Sequence, residues 1–318
     1  MKTEECSMKK LQAMRTQLKL AAFALLLSTL NPQLSTVFAQ GSLTPPGAPA
    51  PTMKSLAQIE PRTALTSAGA VTISQPGSYY LTTNITVSSG HAVTINANGV
   101  TLDLNGFSIS STASSATGDD ILVNGLTDIT VLNGHVRSGV TNHGSGTYTG
   151  SGFAYGIYNN GNPLANMRVS GVSVSGCLYS GIYLGEGDST LAECCTVRTV
   201  GSYGIRAATV KSSLAEDCGN TAVYGGQVSD TRGESSGGTG LLAVTAQNCS
   251  GSSASSTGLN AAVALNCHGY SAAGSGLSAS LAQNCYGQSD GNSHGLYAGY
   301  AANNCCGYSA SGTGLYAN

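Results

Sequence analysis

Tryptophan is absent from this chain of 318 residues, phenylalanine occurs only four times, and charged residues make up just 9%. Basic residues are scarcest where they would matter for a polyanion. The segment 1–39 holds five of the 13 basic side chains and two of the 15 acidic ones, so removing it leaves 8 against 13, a formal charge of −5. A chain with that balance lacks the basic face that nucleic acid demands. Amphipathic helical periodicity is also missing beyond Leu30, which excludes a helical fold. What fills the chain is Ser, Thr, Ala, Asn and 43 glycines. Val, Ile, Leu and Thr recur in short alternating runs among them, unlike a disordered chain and like strands.

Residues 1–39 have the form of a secretory signal. Lys2, Lys9, Lys10, Arg15 and Lys19 precede an apolar run from Leu20 to Leu30, too short to span a membrane. Val37 and Ala39 place small residues for cleavage after Ala39. The segment 40–60 with its neighbour Pro61 carries five of the eight prolines and reads as a linker. The expected product is an exported, secreted or envelope-associated chain with no transmembrane span after signal removal.

The organising feature is an internal repeat. Gly followed by an aliphatic residue occurs at Gly156-Ile157, Gly181-Ile182, Gly204-Ile205, Gly240-Leu241, Gly258-Leu259, Gly276-Leu277, Gly295-Leu296 and Gly314-Leu315, with Ala222-Val223 filling the one gap. A second series, Asn248-Cys249, Asn266-Cys267, Asn284-Cys285 and Asn304-Cys305, shares that period. Such a unit is too short for two helices and is stable only when stacked, so it reads as one coil of a β-solenoid. With Gly as position 0, the aliphatics at +1 and the alanines at +3 (Ala207, Ala243, Ala261, Ala279, Ala298, Ala317) share the inner face. Asn at +8 suits a corner in left-handed geometry, with amides bonding from coil to coil. Upstream, the strings ending in Gly106 and Gly134 mark longer coils of the same kind.

A left-handed hexapeptide helix would need an aliphatic at every sixth position, but +7 holds Gln247, Leu265 and Gln283 and +13 holds Ser253, Ser271 and Ser289. The serines are therefore expected outside the core. The reading is a right-handed parallel β-helix over 61–318, in coils of about 18–28 residues.

The strings Ile73-Ser74-Gln75-Pro76-Gly77-Ser78-Tyr79-Tyr80-Leu81, Asn84-Ile85-Thr86 and Val100-Thr101-Leu102-Asp103-Leu104-Asn105-Gly106-Phe107 resemble the opening of bacterial right-handed parallel β-helix repeat proteins of the pectin-lyase-like superfamily. The resemblance implies the fold. That superfamily also holds polysaccharide lyases and glycoside hydrolases, but fold alone transfers no chemistry. The paired-Asp, Gly-His-Gly and Arg-x-Lys strings of polygalacturonases are absent.

Nine cysteines follow the signal. Cys249, Cys267 and Cys285 share one coil position and form either a buried row of free thiols or bridges between neighbouring coils. One member of each vicinal pair, Cys194-Cys195 and Cys305-Cys306, should face outward. Metal-ligand spacing is lacking, so neither a metal nor a cofactor is expected.

Hydrolysis of a glycan needs two carboxylates facing one bond. The weak catalytic candidates are Glu186, Asp188, Asp230 and Glu234, the last two flanking Arg232 in a string that also fits a surface ion-pair strip. Asp119-Asp120 reads as a solvated loop tip, and the five histidines as solvated turn residues without carboxylate partners. The better surface signal is position +2, which points outward: Tyr158, Tyr183, Arg206, Tyr224, Leu242, Asn260, Ser278, Tyr297 and Tyr316. Tyr158, Tyr183, Arg206 and Tyr224 occupy consecutive coils and are the candidate substrate-binding stripe, since Tyr rings stack on sugars and Arg adds forked donors. The expected function is presentation of an extended surface to polysaccharide or cell-surface glycan, with a lyase or hydrolase as the alternative. Gly314 to Asn318 repeats positions 0 to +4 and stops, so the last coil is expected to continue into a longer chain or to stack end to end on a partner.

Overall fold

In the computed structural model the described residues are Met14, Arg15, Lys19 and 60–318, except 145, 162–165, 186 and 188. Apart from Met14, Arg15 and Lys19, the expected signal with its cleavage site lies outside them, as does nearly all of the linker. Residues 63–317 form a parallel β-solenoid, with essentially every strand hydrogen-bonded to its counterpart one coil away. Three ladders run its length. The first stacks Val71, Val93, Ile121, Ile157, Ile182, Ile205, Val223, Leu241, Leu259, Leu277, Leu296 and Leu315 in register. The residues from Val93 to Leu296 in this column are fully buried, as the repeat predicted.

The steps along this column are long and uneven from Val71 to Ile205, then settle to the nearly constant period of the Gly-aliphatic repeat. The longest step, from Ile121 to Ile157, exceeds the expected range because it carries an antiparallel hairpin, Gly139–Asn142 with Tyr148–Ser151.

The core tapers. Inward positions of the second ladder change from Leu102, Val131 and Val169 to Ala246, Ala264 and Ala282. Those of the third change from Ile85, Ile109, Val136, Val174 and Val197 through Ala215 to Gly233, Gly251, Gly269, Gly287 and Gly307. The glycines are obligatory. A Cβ on Gly269 would run into the carbonyl of Gly276, and one on Gly258 into the backbone of Tyr270. In the short coils two glycine walls meet, and the leucines of the first ladder fill what space remains.

The serines at +13 were expected outside and are inside: Ser253, Ser271 and Ser289 are 0–1% exposed. The corner after the third ladder turns backbone polar groups inward, and the serine hydroxyl satisfies them. Ser253 Oγ donates to the Gly238 carbonyl at 2.6 Å and accepts from the Ser256 amide at 2.8 Å.

At the opposite corner ten residues stack with φ between +46° and +64°: Asn105, Asn133, Gly171, Cys194, Ser212, Asp230, Asn248, Asn266, Asn284 and Asn304. Asn and Asp tolerate this region best. Their amides form the expected ladder, Asn304 to Asn284 at 2.8 Å, Asn284 to Asn266 at 3.0 Å and Asn266 to Asn248 at 3.1 Å.

At the next position along, Cys195, Ser213, Thr231, Cys249, Cys267, Cys285 and Cys305 each donate from sulfur or hydroxyl to the carbonyl of the second residue before. The thiol thus does a hydroxyl's work, and all nine cysteines from Cys177 onward are free. Hydrogen bonding to Cys249 is the first cause that pushes the Cys267 thiol up to about 11, which keeps it protonated. Cys194 and Cys306 are the outward members of their vicinal pairs.

Two outcomes are expected in thermal or urea melts. Leu259→Asp buries an uncompensated charge and should cost more than about 4 kcal/mol; a variant that melts like wild type would refute the coil register. Cys267→Ser keeps the bond to Leu265 and should stay within about 1 kcal/mol, whereas Cys267→Val removes the side-chain bonds to the carbonyls of Leu265 and Ala246, the first of which still accepts from the Asn248 amide, and should cost about 0.5–1.5 kcal/mol.

Candidate functional site

The predicted stripe is assembled by the first ladder. Tyr158 pairs with Tyr183, Tyr183 with Arg206, and Arg206 with Tyr224, each half-buried on the outer side of its strand. Parallel pairing leaves neighbouring side chains about 4.8 Å apart, within reach of one another. Arg206 Nη1 donates to the Tyr183 hydroxyl at 2.8 Å. Its guanidinium lies 4.9 Å from the Tyr183 ring centre, 5.2 Å from Tyr203 and 5.1 Å from Tyr224. Three rings around one cation hold it by their negative faces.

Tyr203 belongs to a neighbouring column that sequence reasoning missed. Position −1, just before the glycine, stacks His91, Asp119, Tyr155, Ser180, Tyr203, Thr221, Thr239, Thr257, Ser275 and His294. Tyr155 stacks on Tyr158 with ring centres 4.2 Å apart and planes at 15°, and Tyr179 lies 5.2 Å from Tyr155. Tyr183 and Tyr224 meet Tyr203 edge-on at 6.3 and 6.2 Å. Six tyrosines and one arginine therefore form one continuous patch. The available signal was the Tyr-Gly-Ile string at Tyr155 and Tyr203.

The hairpin props this patch from the side. Tyr148 packs against Leu178, which precedes the exposed Tyr179. Its hydroxyl donates to Asp217 at 2.9 Å and lies 2.9 Å from the Ser236 hydroxyl, while Asn142 Nδ2 donates to the same carboxylate at 2.6 Å. A shallow groove of about 310 Å³ opens beside Tyr224, against Gly225, Gly226 and Val244.

The carboxylate candidates fare differently. Glu186 and Asp188 lie outside the described residues. Asp230 sits at the asparagine corner and accepts from Asn248 at 3.1 Å. Glu234 pairs with Arg232 at 3.1 Å. Similar partners hold Glu193 with Arg168 at 3.1 Å and Glu216 with Arg198 at 2.9 Å. These acids serve surface ion pairs and corners.

Two readings are corrected. Asp119 and Asp120 are not a solvated loop tip; they begin a strand and are 6% and 0% exposed. Asp120 occupies the glycine column, where the wider N-terminal coils leave room for a side chain. His91 is not a partnerless turn residue. It lies one coil from Asp119, and its Nδ1 is 3.1 Å from the carboxylate. Burial raises the Asp119 pKa, and His91 opposes that rise. Complete burial, with Asp119 alongside, holds the Asp120 pKa well above the usual carboxylate range. The pair adjoins Tyr155 at the N-terminal end of the patch.

No family model matches the chain, and no curated protein matches it. Among solved structures the chain is similar to the Dettilon tailspike protein, with 13% identity and a TM-score of 0.33. The match covers 80% of this chain and 61% of the tailspike chain, so it spans about three-fifths of that protein's length.

Asp120 sets a pH dependence. An acid whose pKa rises on folding stabilises fully below its unfolded value of about 3.9, and that stability is lost as pH climbs toward the raised native value. Asp120→Asn removes the linkage. Its stability relative to wild type should therefore increase between about pH 4 and pH 8 in urea melts; a pH-independent difference would contradict a neutral, buried Asp120.

Proposed function

We propose that this protein is exported and binds an extended glycan along the outer face built from positions −1 and +2, without catalysing its cleavage. The observation that carries the reading is the patch of Tyr155, Tyr158, Tyr179, Tyr183, Tyr203 and Tyr224 around Arg206. Tyr179 is exposed and the other five rings are half-buried, so together they offer apolar surface for sugar contact and hydroxyls for polar contacts. The patch repeats along the solenoid axis at about 4.8 Å, a spacing close to one pyranose unit, so a polymer running along the axis meets equivalent groups at each coil. Export rests on the basic and apolar N-terminal segment. Membership of the pectin-lyase-like superfamily belongs to the same proposal and rests on the strings between Ile73 and Phe107. Of the described carboxylate candidates, Asp230 is engaged at a corner and Glu234 in an ion pair, which favours binding over hydrolysis.

Affinity electrophoresis through gels containing polygalacturonate, alginate, xylan or dextran tests the reading. At least one polymer should retard wild type, and Tyr183→Ala should weaken that retardation while changing stability by no more than about 1 kcal/mol. Equal migration of the two proteins in every gel would sink it, and unsaturated product from either polyuronate would replace binding with lyase activity.

A further inference from the structure

The same two columns carry a second aromatic cluster farther along. His294 at −1 and Tyr297 and Tyr316 at +2 form a stack: Tyr297 and Tyr316 lie 5.5 Å apart with planes at 4°, and the His294 ring is 5.6 and 5.3 Å from them. Tyr297 is in register with Tyr316, and through Ser278, Asn260 and Leu242 with Tyr224 of the first patch. Four coils separate Tyr224 from Tyr297, about 19 Å at 4.8 Å per coil.

Between the clusters the face changes character. Position +2 holds Leu242, Asn260 and Ser278, and position −1 holds Thr239, Thr257 and Ser275, all half-buried. No aromatic or charged side chain interrupts these columns between Tyr224 and His294. The result is a low, mostly hydroxyl and amide lane with rings at each end.

We propose that the two aromatic clusters are the ends of one binding track, and that the occupant is a long linear polysaccharide lying along the solenoid axis and held at both ends. The inference rests on the glycan reading above and goes beyond it by naming the polymer's length and direction. Rings at both ends grip sugar faces, while the lane's short polar side chains meet sugar hydroxyls without blocking the path. Once one cluster is occupied, the other sees the same polymer at high effective concentration, so affinity grows with chain length only when a fragment reaches both. At roughly one unit per coil, a fragment covering Tyr158 to Tyr316 needs about nine units.

The test measures binding of size-fractionated fragments prepared from each of the four gel polymers, by titration calorimetry. Wild type should bind fragments of about nine or more units at least tenfold tighter than fragments of about four. Tyr297→Ala/Tyr316→Ala should abolish that gain, so that long and short fragments both bind with the affinity of the first patch alone, with its melt confirming the fold. Asn260→Arg, which obstructs the lane two coils away from either cluster, should abolish it too. Tyr308→Ala, an exposed ring away from both columns, should keep it. Short and long fragments binding alike, or a gain that survives in the double variant, would overturn the track while leaving glycan binding at the first patch intact. If no fragment of any length binds wild type, the glycan reading falls and the track with it.

Discussion

Parallel hydrogen bonding from coil to coil is the constraint on which this structure rests. Outside the hairpin and a few turns, the backbone amides of each strand are satisfied by the coil above or below, so each coil must retrace the path of its neighbour. A side chain that is wrong for its position is therefore wrong for a whole column. That is why left-handed corners occur as a continuous row, why hydroxyls and thiols substitute for one another in the next row, and why two walls of glycine face each other through the C-terminal half. A single glycine in an ordinary sheet is a local weakness. In this solenoid a column of them sets the cross-section.

How much of this could be read from the sequence depended on the regularity of the steps. From Ile205 onward the offset is nearly constant, and the leucine column, the alanine column and the asparagine corners were all legible; the Tyr158–Tyr224 stripe was legible farther upstream because the Gly-aliphatic pair marks each coil there too. Upstream, longer and unequal steps hid the pairing of His91 with Asp119, which is close only once the coil between them is closed. The serines at +13 misled for a different reason. Polarity was taken for exposure, but a corner that turns carbonyls inward needs a small hydroxyl there. Tyr155, Tyr179 and Tyr203 escaped notice because their distance before the glycine varies by one position.

The candidate face and the taper are connected. From Gly240 to Gly295 position 0 leaves no room for a side chain, while the coil at Ile121 admits Asp120 in that column. A neutral acid fully enclosed beside the aromatic patch raises the stability of that region as pH falls. Acidic surroundings would thus firm up the end of the face where the rings are densest, while the ion pairs elsewhere on the surface weaken.

Equal steps have a further consequence. Because Leu241, Leu259 and Leu277 follow one another at one fixed offset with all three ladders in phase, one coil can be excised or duplicated between equivalent positions without breaking any column. The molecule behaves as a graduated ruler whose marks are coils. Recombination within the repeated part of its gene would change the span between the two ring clusters by whole marks only, leaving each cluster and the fold beneath it as they were.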